Sequence, residues 1–294
     1  MATESLRGTG TDDGVPHLAL PCGASVPRLG QGTWFMGEDG SRRSQEVRAL
    51  RAGIDAGMTL IDTAEMYGDG RSEELVAEAI AGRRDEVFLV SKVLPGHATR
   101  RGTAAALEAS LRRLATDRLD LYLYHWRGST ALAESVDALV RLQEEGKILS
   151  WGVSNLDAAD LDELEQLPGT TGPRGVQTNQ LLYNVMRRGI EFDLLPRLRA
   201  AGVPIMAYSP IEQGRILGNA ALEAVAARHL ATPAQVALAW TLREDGVIAI
   251  PKSSTAEHTL ENRAAAGLRL TDRDLADIDA AFPPPRRRTP LEML

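Results

Sequence analysis

The sequence predicts an α/β protein that folds as a single (β/α)8 TIM barrel, with a β-hairpin before the barrel and a tail after it. The first observation is that short apolar runs of β-favouring residues alternate with amphipathic stretches of helical period along nearly the whole chain. Such alternation predicts a parallel sheet with right-handed crossovers. The second is that eight such units fit within 294 residues, which is enough chain to close a barrel.

The hairpin is expected around HLALPCGASVPRLG, with Gly23 and Ala24 near its turn. The predicted barrel strands are RLGQGTW, TLIDT, VFLVSK, LDLYLYH, SWGVSN, GVQTNQ, PIMAYSP and VIAIPKS. The predicted helical segments are Ser44–Ala56, Glu73–Ala81, Arg101–Leu114, Ala131–Glu144, Ala158–Gln166, Phe192–Arg199, Ala221–Glu244 and Glu257–Ala266. Within the seventh segment, Thr232 followed by Pro233 predicts a break, because threonine is a frequent N-cap and proline is tolerated at the first helical position.

The ends of the chain differ in composition from the repeating part. Residues 1–16 contain no apolar core of the kind that a secretory signal needs, so we expect a flexible leader followed by one barrel domain over residues 17–294. Ser72 and Thr271 are further predicted N-caps. The segment FPPPRRRTP follows the predicted helices. We interpret it as a solvated tail, and the alternative is a tail that folds over the pocket mouth.

Composition excludes several classes of protein. A net charge of -7 and a pI near 5.4 argue against a general nucleic-acid binder, because phosphate contacts need a basic surface. No apolar run is long enough to span a bilayer. A single cysteine, Cys22, cannot form an intramolecular disulfide, which is typical of a reducing compartment. We therefore expect a cytoplasmic protein with no membrane or nucleic-acid partner.

Barrel enzymes carry their chemistry at the carboxyl ends of the strands. Asp62 and Tyr67 follow one predicted strand, Lys92 ends the next, and His125 ends the one after that. Taken singly, each residue has an ordinary structural explanation, such as a turn cap, a surface lysine or a buried histidine. Their joint placement on successive strand ends favours a functional explanation, because an acid, a phenol, an amine and an imidazole together can move a proton to a carbonyl oxygen.

The chain is poor in aromatic residues, at 4%, yet several of them fall at these strand ends. We expect Trp34, Phe35, Met36 and Trp126 to form the apolar wall of a concave mouth. An apolar cavity with a few convergent polar groups is the usual composition of a small-molecule pocket. A small substrate is therefore the predicted partner.

Seven short motifs follow one another along the chain: DTAEMYG, VSKV, LYHW, GVSN, QTNQ, YSP and IPKSS. In this order they resemble the aldo-keto reductases, and the connection HWRGSTALAES and the tail PPPRRRTPLEML are most similar to the bacterial aldehyde and methylglyoxal reductases of that family. The resemblance covers the chain from about Pro16 onward. It implies reduction of an aldehyde or ketone to an alcohol with NADPH.

The resemblance also implies a role for each catalytic residue. Tyr67 is the general acid that protonates the carbonyl oxygen, and Lys92 is expected to lower the pKa of its phenol. Asp62 pairs with Lys92, because an unpaired buried ammonium is costly. His125 donates a hydrogen bond to the same carbonyl oxygen and stabilises the charge that develops there.

Further positions match the cofactor-binding residues of the family. The positions that match the nicotinamide site are Ser154, Asn155 and Gln177 for the carboxamide and Tyr208 for ring stacking. The positions that match the rest of the dinucleotide are Ser209, Gln213 and Gly214 for the pyrophosphate, Lys252 and Ser253 for the 2′-phosphate, and Glu261 and Asn262 for adenine. No GxGxxG motif follows the first strand, so a Rossmann site is not indicated. No metal site is predicted.

One position departs from the family pattern. The family often has arginine four residues before the asparagine of the last motif, and this chain has His258 there. Histidine can stack on adenine, but it is mostly uncharged near neutral pH. We therefore expect NADPH as the cofactor, with NADH as a weaker alternative.

Two other functional classes are alternatives to a reductase. Some members of the fold bind NADPH mainly as redox-sensing regulators attached to a partner, but the catalytic tetrad is complete here. A barrel enzyme acting on a phosphorylated sugar is the other alternative, and IPKSS better matches a dinucleotide site in this family. A monomer is the state that the family resemblance implies.

Overall fold

The computed structural model describes residues 14–294. Residues 1–13 of the predicted leader therefore lie outside the described part of the chain. Val15, near the end of that segment, is buried and packs in a small cluster with Leu29, Met58 and Leu238. None of the helices in residues 14–294 is long and apolar enough to cross a membrane.

The predicted hairpin is present as β1 (His17–Ala19) paired with β2 (Ser25–Pro27). Gly23 lies in the turn with a φ of 88°, a left-handed conformation that glycine adopts without strain. Leu20 and Val26 pack against residues of the barrel interior. The hairpin therefore closes the amino-terminal end of the barrel.

Eight parallel strands confirm the predicted barrel sheet. They are β3 (Gln31–Gly32), β4 (Leu60–Asp62), β5 (Phe88–Val93), β6 (Leu119–Tyr124), β7 (Ile148–Ser154), β8 (Val176–Leu182), β9 (Ile205–Tyr208) and β10 (Val247–Ala249), and each pairs with the next. The two edges also meet, because the Gly30 N–H donates to the Ala249 carbonyl at 2.9 Å and the Gly32 N–H donates to the Pro251 carbonyl at 3.0 Å. These bonds join the first strand segment to the last.

The described residues form ten α-helices: α1 (Arg43–Asp55), α2 (Arg71–Ala79), α3 (Arg100–Leu114), α4 (Leu132–Glu144), α5 (Ala158–Glu165), α6 (Leu194–Ala200), α7 (Ala220–His229), α8 (Pro233–Leu242), α9 (Ala256–Ala264) and α10 (Asp272–Ala281). The break at Thr232 is confirmed, since its side chain caps α8 and Pro233 is the first helical residue. The predicted helical segments omitted α10, although its N-cap Thr271 was foreseen. Ser72 is not an N-cap, because α2 begins at Arg71 and the Ser72 hydroxyl instead donates to Thr33 inside the fold.

Alternation along the strands separates two apolar regions. On β6, Leu121 and Leu123 pack in the barrel interior, while Tyr122 and Tyr124 pack in the layer between sheet and helices. This period of two is the reason that a strand buried on both faces is a nearly continuous apolar run. Inside the barrel, the apolar layer ends at Lys92 and Asp62. These two polar residues mark the carboxyl end of the barrel.

Replacing Thr271 with alanine should destabilise the protein by about 1 kcal/mol, because α10 would lose its capping box. In that box the Thr271 hydroxyl accepts from the Asp274 N–H at 3.2 Å, and the Asp274 carboxylate accepts from the Thr271 N–H at 2.8 Å. Urea unfolding of Thr271→Ala and of the conservative variant Thr271→Ser measures the effect. Equal stabilities of the two variants would show that the cap contributes nothing.

Candidate active site

Lys92, Asp62 and Tyr67 form a buried cluster at the carboxyl end of the barrel. The Lys92 ammonium donates to the Asp62 carboxylate at 2.8 Å, to the Tyr67 phenol oxygen at 3.0 Å and to the Thr63 carbonyl at 2.9 Å. Its three N–H donors therefore have three acceptors, although the side chain is fully buried. Strands β4 and β5 supply the two charged residues, and Tyr67 begins the one-turn helix Tyr67–Gly70 in the loop after β4.

The pKa of Tyr67 differs from the sequence-based expectation. Burial raises the pKa of the phenol well above its usual value, and the Asp62 carboxylate raises it further. Burial also lowers the pKa of Lys92, against the opposing effect of Asp62. The expectation that Lys92 lowers the pKa of Tyr67 is therefore wrong for the unliganded protein. The effect of desolvating the phenolate on this pKa is larger than the effect of the neighbouring cation. Tyr67 consequently holds its proton at neutral pH.

His125 follows β6 and lies beside the phenol. Its ring centroid is 6.1 Å from that of Tyr67, in an edge-on arrangement, and 4.5 Å from that of Trp126. Burial, together with the Lys92 charge, lowers the pKa of His125 to about 2, so the imidazole is neutral in the pH range of cells. Nδ1 is buried and has no hydrogen-bond partner among the described residues. An unpaired N–H there would be costly, so the proton is better placed on Nε2.

The two glutamines of the QTNQ motif occupy opposite ends of the barrel. Gln177 accepts from the Cys22 N–H of the hairpin at 2.8 Å, at the amino-terminal end, and this corrects its assignment to the nicotinamide site. Gln180 instead reaches the catalytic cluster and donates to the Asp62 carboxylate at 2.8 Å. A register shift explains how both can point inward, since β8 advances three residues where β7 advances two.

Ser154, Asn155 and Tyr208 form a hydrogen-bonded group beside this cluster. The Asn155 amide donates to the His125 carbonyl at 3.2 Å and accepts from the Tyr208 hydroxyl at 3.1 Å. The Ser154 hydroxyl donates to the Gln180 carbonyl at 2.9 Å. Asn155 has a φ of 53°, a strained conformation of the kind that tends to cluster at functional sites. These contacts fix three of the residues assigned to the nicotinamide site.

Two adjoining cavities meet at Tyr67 and Tyr208. One has an empty volume of about 1010 Å³, open to solvent, and extends from Asp62 to Lys252. The other has about 810 Å³ of empty volume, and its lining includes His125, Trp126 and Asn155. Tyr67 therefore lines both cavities and is within reach of a molecule bound in either one.

The apolar wall is formed by three of the four predicted residues. Trp34 stacks on Phe35 with ring centroids 4.5 Å apart, and Trp126 lines the smaller cavity. Met36 is fully buried and belongs to the apolar cluster between sheet and helices, so its assignment to the pocket is wrong. Phe35 has a φ of 66° and lies in a turn in which the Met36 N–H donates to the Thr33 carbonyl at 2.9 Å.

The residues assigned to the rest of the dinucleotide fall into two groups. The larger cavity is lined by Ser209, Gln213, Gly214 and Lys252. Outside that lining, the Ser253 hydroxyl donates to the Thr255 carbonyl, just before α9. On α9 itself, His258 and Glu261 are paired at 2.7 Å on the exposed surface, whereas Asn262 is buried.

The carboxyl-terminal segment lies over the smaller cavity. Met293 and Leu294 line it, although both remain about half exposed. Arg187 pairs with Glu292 at 2.6 Å, and Arg288 pairs with Asp193 at 2.8 Å. Arg286, Arg287 and Arg288 are exposed, as a solvated run predicts, whereas the last two residues follow the alternative of a tail that folds over the mouth. The local sequence does not indicate these two ion pairs, because they join residues about 95 to 105 positions apart.

Among residues 14–294, no group of three or more His, Cys, Asp or Glu side chains could hold a metal ion.

Comparison with known proteins gives concordant matches. The model of the Aldo/keto reductase family matches residues 28–282. Methylglyoxal reductase YeaE of Escherichia coli (strain K12) is 52% identical over 275 residues, which cover 92% of this chain and 96% of the relative. Glyoxal reductase of Bacillus subtilis (strain 168) is 34% identical, with coverage of 90% and 91%. An aldo/keto reductase from Klebsiella pneumoniae, solved with NADP and acetate, superposes with a TM-score of 0.91 at 47% identity, covering 95% of this chain and 99% of that one.

The neutral state of His125 should appear in the pH dependence of stability. Below about pH 6.5 His125 is protonated in the unfolded chain but stays neutral in the folded protein, where its pKa is about 2. The free energy of unfolding therefore decreases as the pH falls through 6.5 towards 2. Replacement by glutamine removes this effect. Between pH 8 and pH 5, the unfolding free energy of His125→Gln should gain roughly 2 kcal/mol relative to the wild type, measured by urea unfolding. A difference that does not change with pH would contradict the assignment.

Proposed function

The chain belongs to the aldo/keto reductase family, and from that premise we propose that it reduces small aldehydes or ketones to alcohols with NADPH, using Tyr67 as the proton donor. The observation that carries the proposal is the position of the protonated Tyr67 phenol, which is hydrogen-bonded to Lys92 and lies where the two cavities meet. Each cavity can then hold one of the two reactants.

The larger cavity suits a dinucleotide. Its lining includes Tyr67 and Tyr208 together with Lys252, so one cavity presents both aromatic rings and a cation. We assign Tyr208 to the nicotinamide ring and Asn155 to its carboxamide. Gly214 has a φ of 85°, and a Cβ there would meet only Leu217 Cδ1, at 3.8 Å. The missing side chain allows a phosphate to approach the backbone closely. When bound, the reduced nicotinamide supplies a hydride to the carbonyl carbon.

The residues of the cluster then deliver the proton. As the carbonyl oxygen gains negative charge, the Tyr67 hydroxyl transfers its proton to that oxygen, and the charge moves to the phenol oxygen. Lys92 is already within 3.0 Å of that atom, so its hydrogen bond strengthens as the phenolate forms. The high pKa of Tyr67 in the protein alone means that the donor is protonated before the reaction begins.

His125 orients the substrate. A neutral imidazole with its proton on Nε2 can donate one hydrogen bond to the carbonyl oxygen without placing a second cation beside Lys92. Two adjacent cations in a buried site would repel each other, which is one of the causes that lower the pKa of His125. Neutrality of His125 therefore permits both groups to act on the same oxygen.

Small carbonyl compounds fit the smaller cavity best. Its lining combines Trp34, Trp126 and Met293 with the polar His125, so a compact substrate with an apolar part can contact both kinds of surface. The names of the similar reductases from Escherichia coli and Bacillus subtilis point to 2-oxoaldehydes such as methylglyoxal and glyoxal. We propose 2-oxoaldehydes and aromatic aldehydes as substrates, acted on in the cytoplasm by a monomer.

Tyr67→Phe removes one hydroxyl and leaves the ring that lines both cavities. Cofactor affinity should persist, while kcat for methylglyoxal should fall by about 10² to 10⁴, the usual contribution of a general acid. The measurement is the loss of NADPH absorbance together with calorimetric titration of NADPH. Turnover near the wild-type value would show that another group donates the proton.

Cofactor preference should depend on Lys252 and on the charge at position 258. A charge-assisted hydrogen bond from Lys252 to the 2′-phosphate contributes roughly 1.5–3 kcal/mol, so Lys252→Ala should remove most of the preference for NADPH over NADH. His258→Arg places a permanent cation on α9, so it should raise the preference for NADPH.

The comparison uses kcat/KM for both cofactors in the wild type and in the two variants. His258 is exposed on α9, so its replacement tests charge without disturbing the core. A preference for NADPH that persists in Lys252→Ala would place the 2′-phosphate elsewhere.

A further inference from the structure

Glu46 is a buried carboxylate that none of the assigned roles uses. It lies in the first turn of α1 and is only 2% exposed. One oxygen accepts from the Gly37 N–H at 2.8 Å, and the other accepts from the Ser254 hydroxyl at 3.2 Å. A buried carboxylate needs such partners, because an unpaired one would be strongly disfavoured. Glu46 therefore contacts two loops at the mouth of the barrel at the same time.

The contact with Ser254 extends to Lys252. The Lys252 ammonium donates to the Ser254 hydroxyl oxygen at 2.6 Å, and that hydroxyl donates onward to Glu46. The adjacent Gln45 holds the same loop, because its amide donates to the Ser254 carbonyl at 3.1 Å. Partial burial lowers the pKa of Lys252, and the Glu46 carboxylate counteracts this. One hydroxyl group thus separates a buried anion from the cation assigned to the 2′-phosphate.

The contact with Gly37 reaches the loop that carries Trp34 and Phe35. Gly37 has a φ of 79°, and a Cβ there would lie 2.6 Å from the Arg71 carbonyl oxygen, so the loop is held tightly at this point. Glu46 is therefore fixed from both sides. Its carboxylate therefore cannot move away when an anionic group binds near Lys252.

We propose that Glu46 is a specificity-determining residue that limits the preference of this enzyme for NADPH over NADH by placing a fixed negative charge behind Lys252. The inference rests on the proposed binding of the 2′-phosphate at Lys252. NADPH and NADH differ only in that phosphate dianion, so a nearby carboxylate repels one cofactor and is nearly indifferent to the other. Burial matters here, because an exposed carboxylate at the same distance would be screened by water and salt.

The chain offers a matched control. Glu38 is a second carboxylate whose charge acts on Lys252, and it is exposed. Glu46→Gln and Glu38→Gln each remove one negative charge and keep a side chain of the same shape. Lys252→Met removes the cation instead. Glu46→Met supplies a second uncharged variant should the glutamine variant fail to fold, and Glu46→Asp keeps the charge.

The measurement is calorimetric Kd for NADPH and for NADH with the full-length wild type and these variants. Glu46→Gln should tighten NADPH binding roughly threefold to tenfold and leave NADH binding unchanged, while Glu38→Gln should change the ratio of the two Kd values less than twofold. Glu46→Asp should stay near the wild-type ratio. A residue with a purely structural role would weaken both cofactors alike and leave the ratio constant.

Two failures can be told apart. If Lys252→Met weakens NADPH but Glu46→Gln leaves the ratio unchanged, the inference about Glu46 is wrong and the proposed phosphate site stands. If Lys252→Met leaves NADPH binding unchanged, the 2′-phosphate is bound elsewhere, and both the proposed site and the inference are overturned.

Discussion

The burial of the Lys92 ammonium is the constraint on which the rest of the site depends. A cation removed from water must find acceptors for all its donors, and Asp62, Tyr67 and the Thr63 carbonyl supply them. Each acceptor lies on β4 or in the loop that follows it. The pairing of β4 with β5 therefore positions the phenol, because the same hydrogen bonds that satisfy Lys92 hold Tyr67 at the mouth.

The loops around this cluster contain residues with strained backbone conformations. Asn155, Ser209 and Gln213 have φ values of 53°, 48° and 55°, a region that residues other than glycine seldom adopt. All three line the cavities beside Tyr208. Such conformations persist where the surrounding contacts over-determine them, as the hydrogen bonds of Asn155 to His125 and Tyr208 do. A site organised before ligands arrive needs less reorganisation during the reaction.

The fold and the catalytic cluster could be predicted because both follow from regular periodicity. Asp62 and Lys92 interrupt apolar runs at strand ends, and this pattern can be recognised from the local sequence. Gln177 was misassigned because QTNQ offers two glutamines, and only the structure shows that Gln177 lies near the start of β8 at the hairpin while Gln180 reaches Asp62. Met36 was misassigned because a turn at Trp34 and Phe35, with a left-handed φ at Phe35, precedes it. The contact of Glu46 with Ser254 joins residues 208 positions apart, so sequence periodicity shows only a polar residue on a helix.

The most direct test of the role of the buried ammonium is whether Asp62 and Lys92 act together on the proton transfer from Tyr67. The measurement is kcat/KM for methylglyoxal in Asp62→Asn, in Lys92→Met and in the double variant. If the two residues serve the same proton transfer, the double variant should be no more than a few-fold slower than the slower single variant. If the losses multiply, Asp62 and Lys92 act independently, and the central role given to the buried ammonium is contradicted.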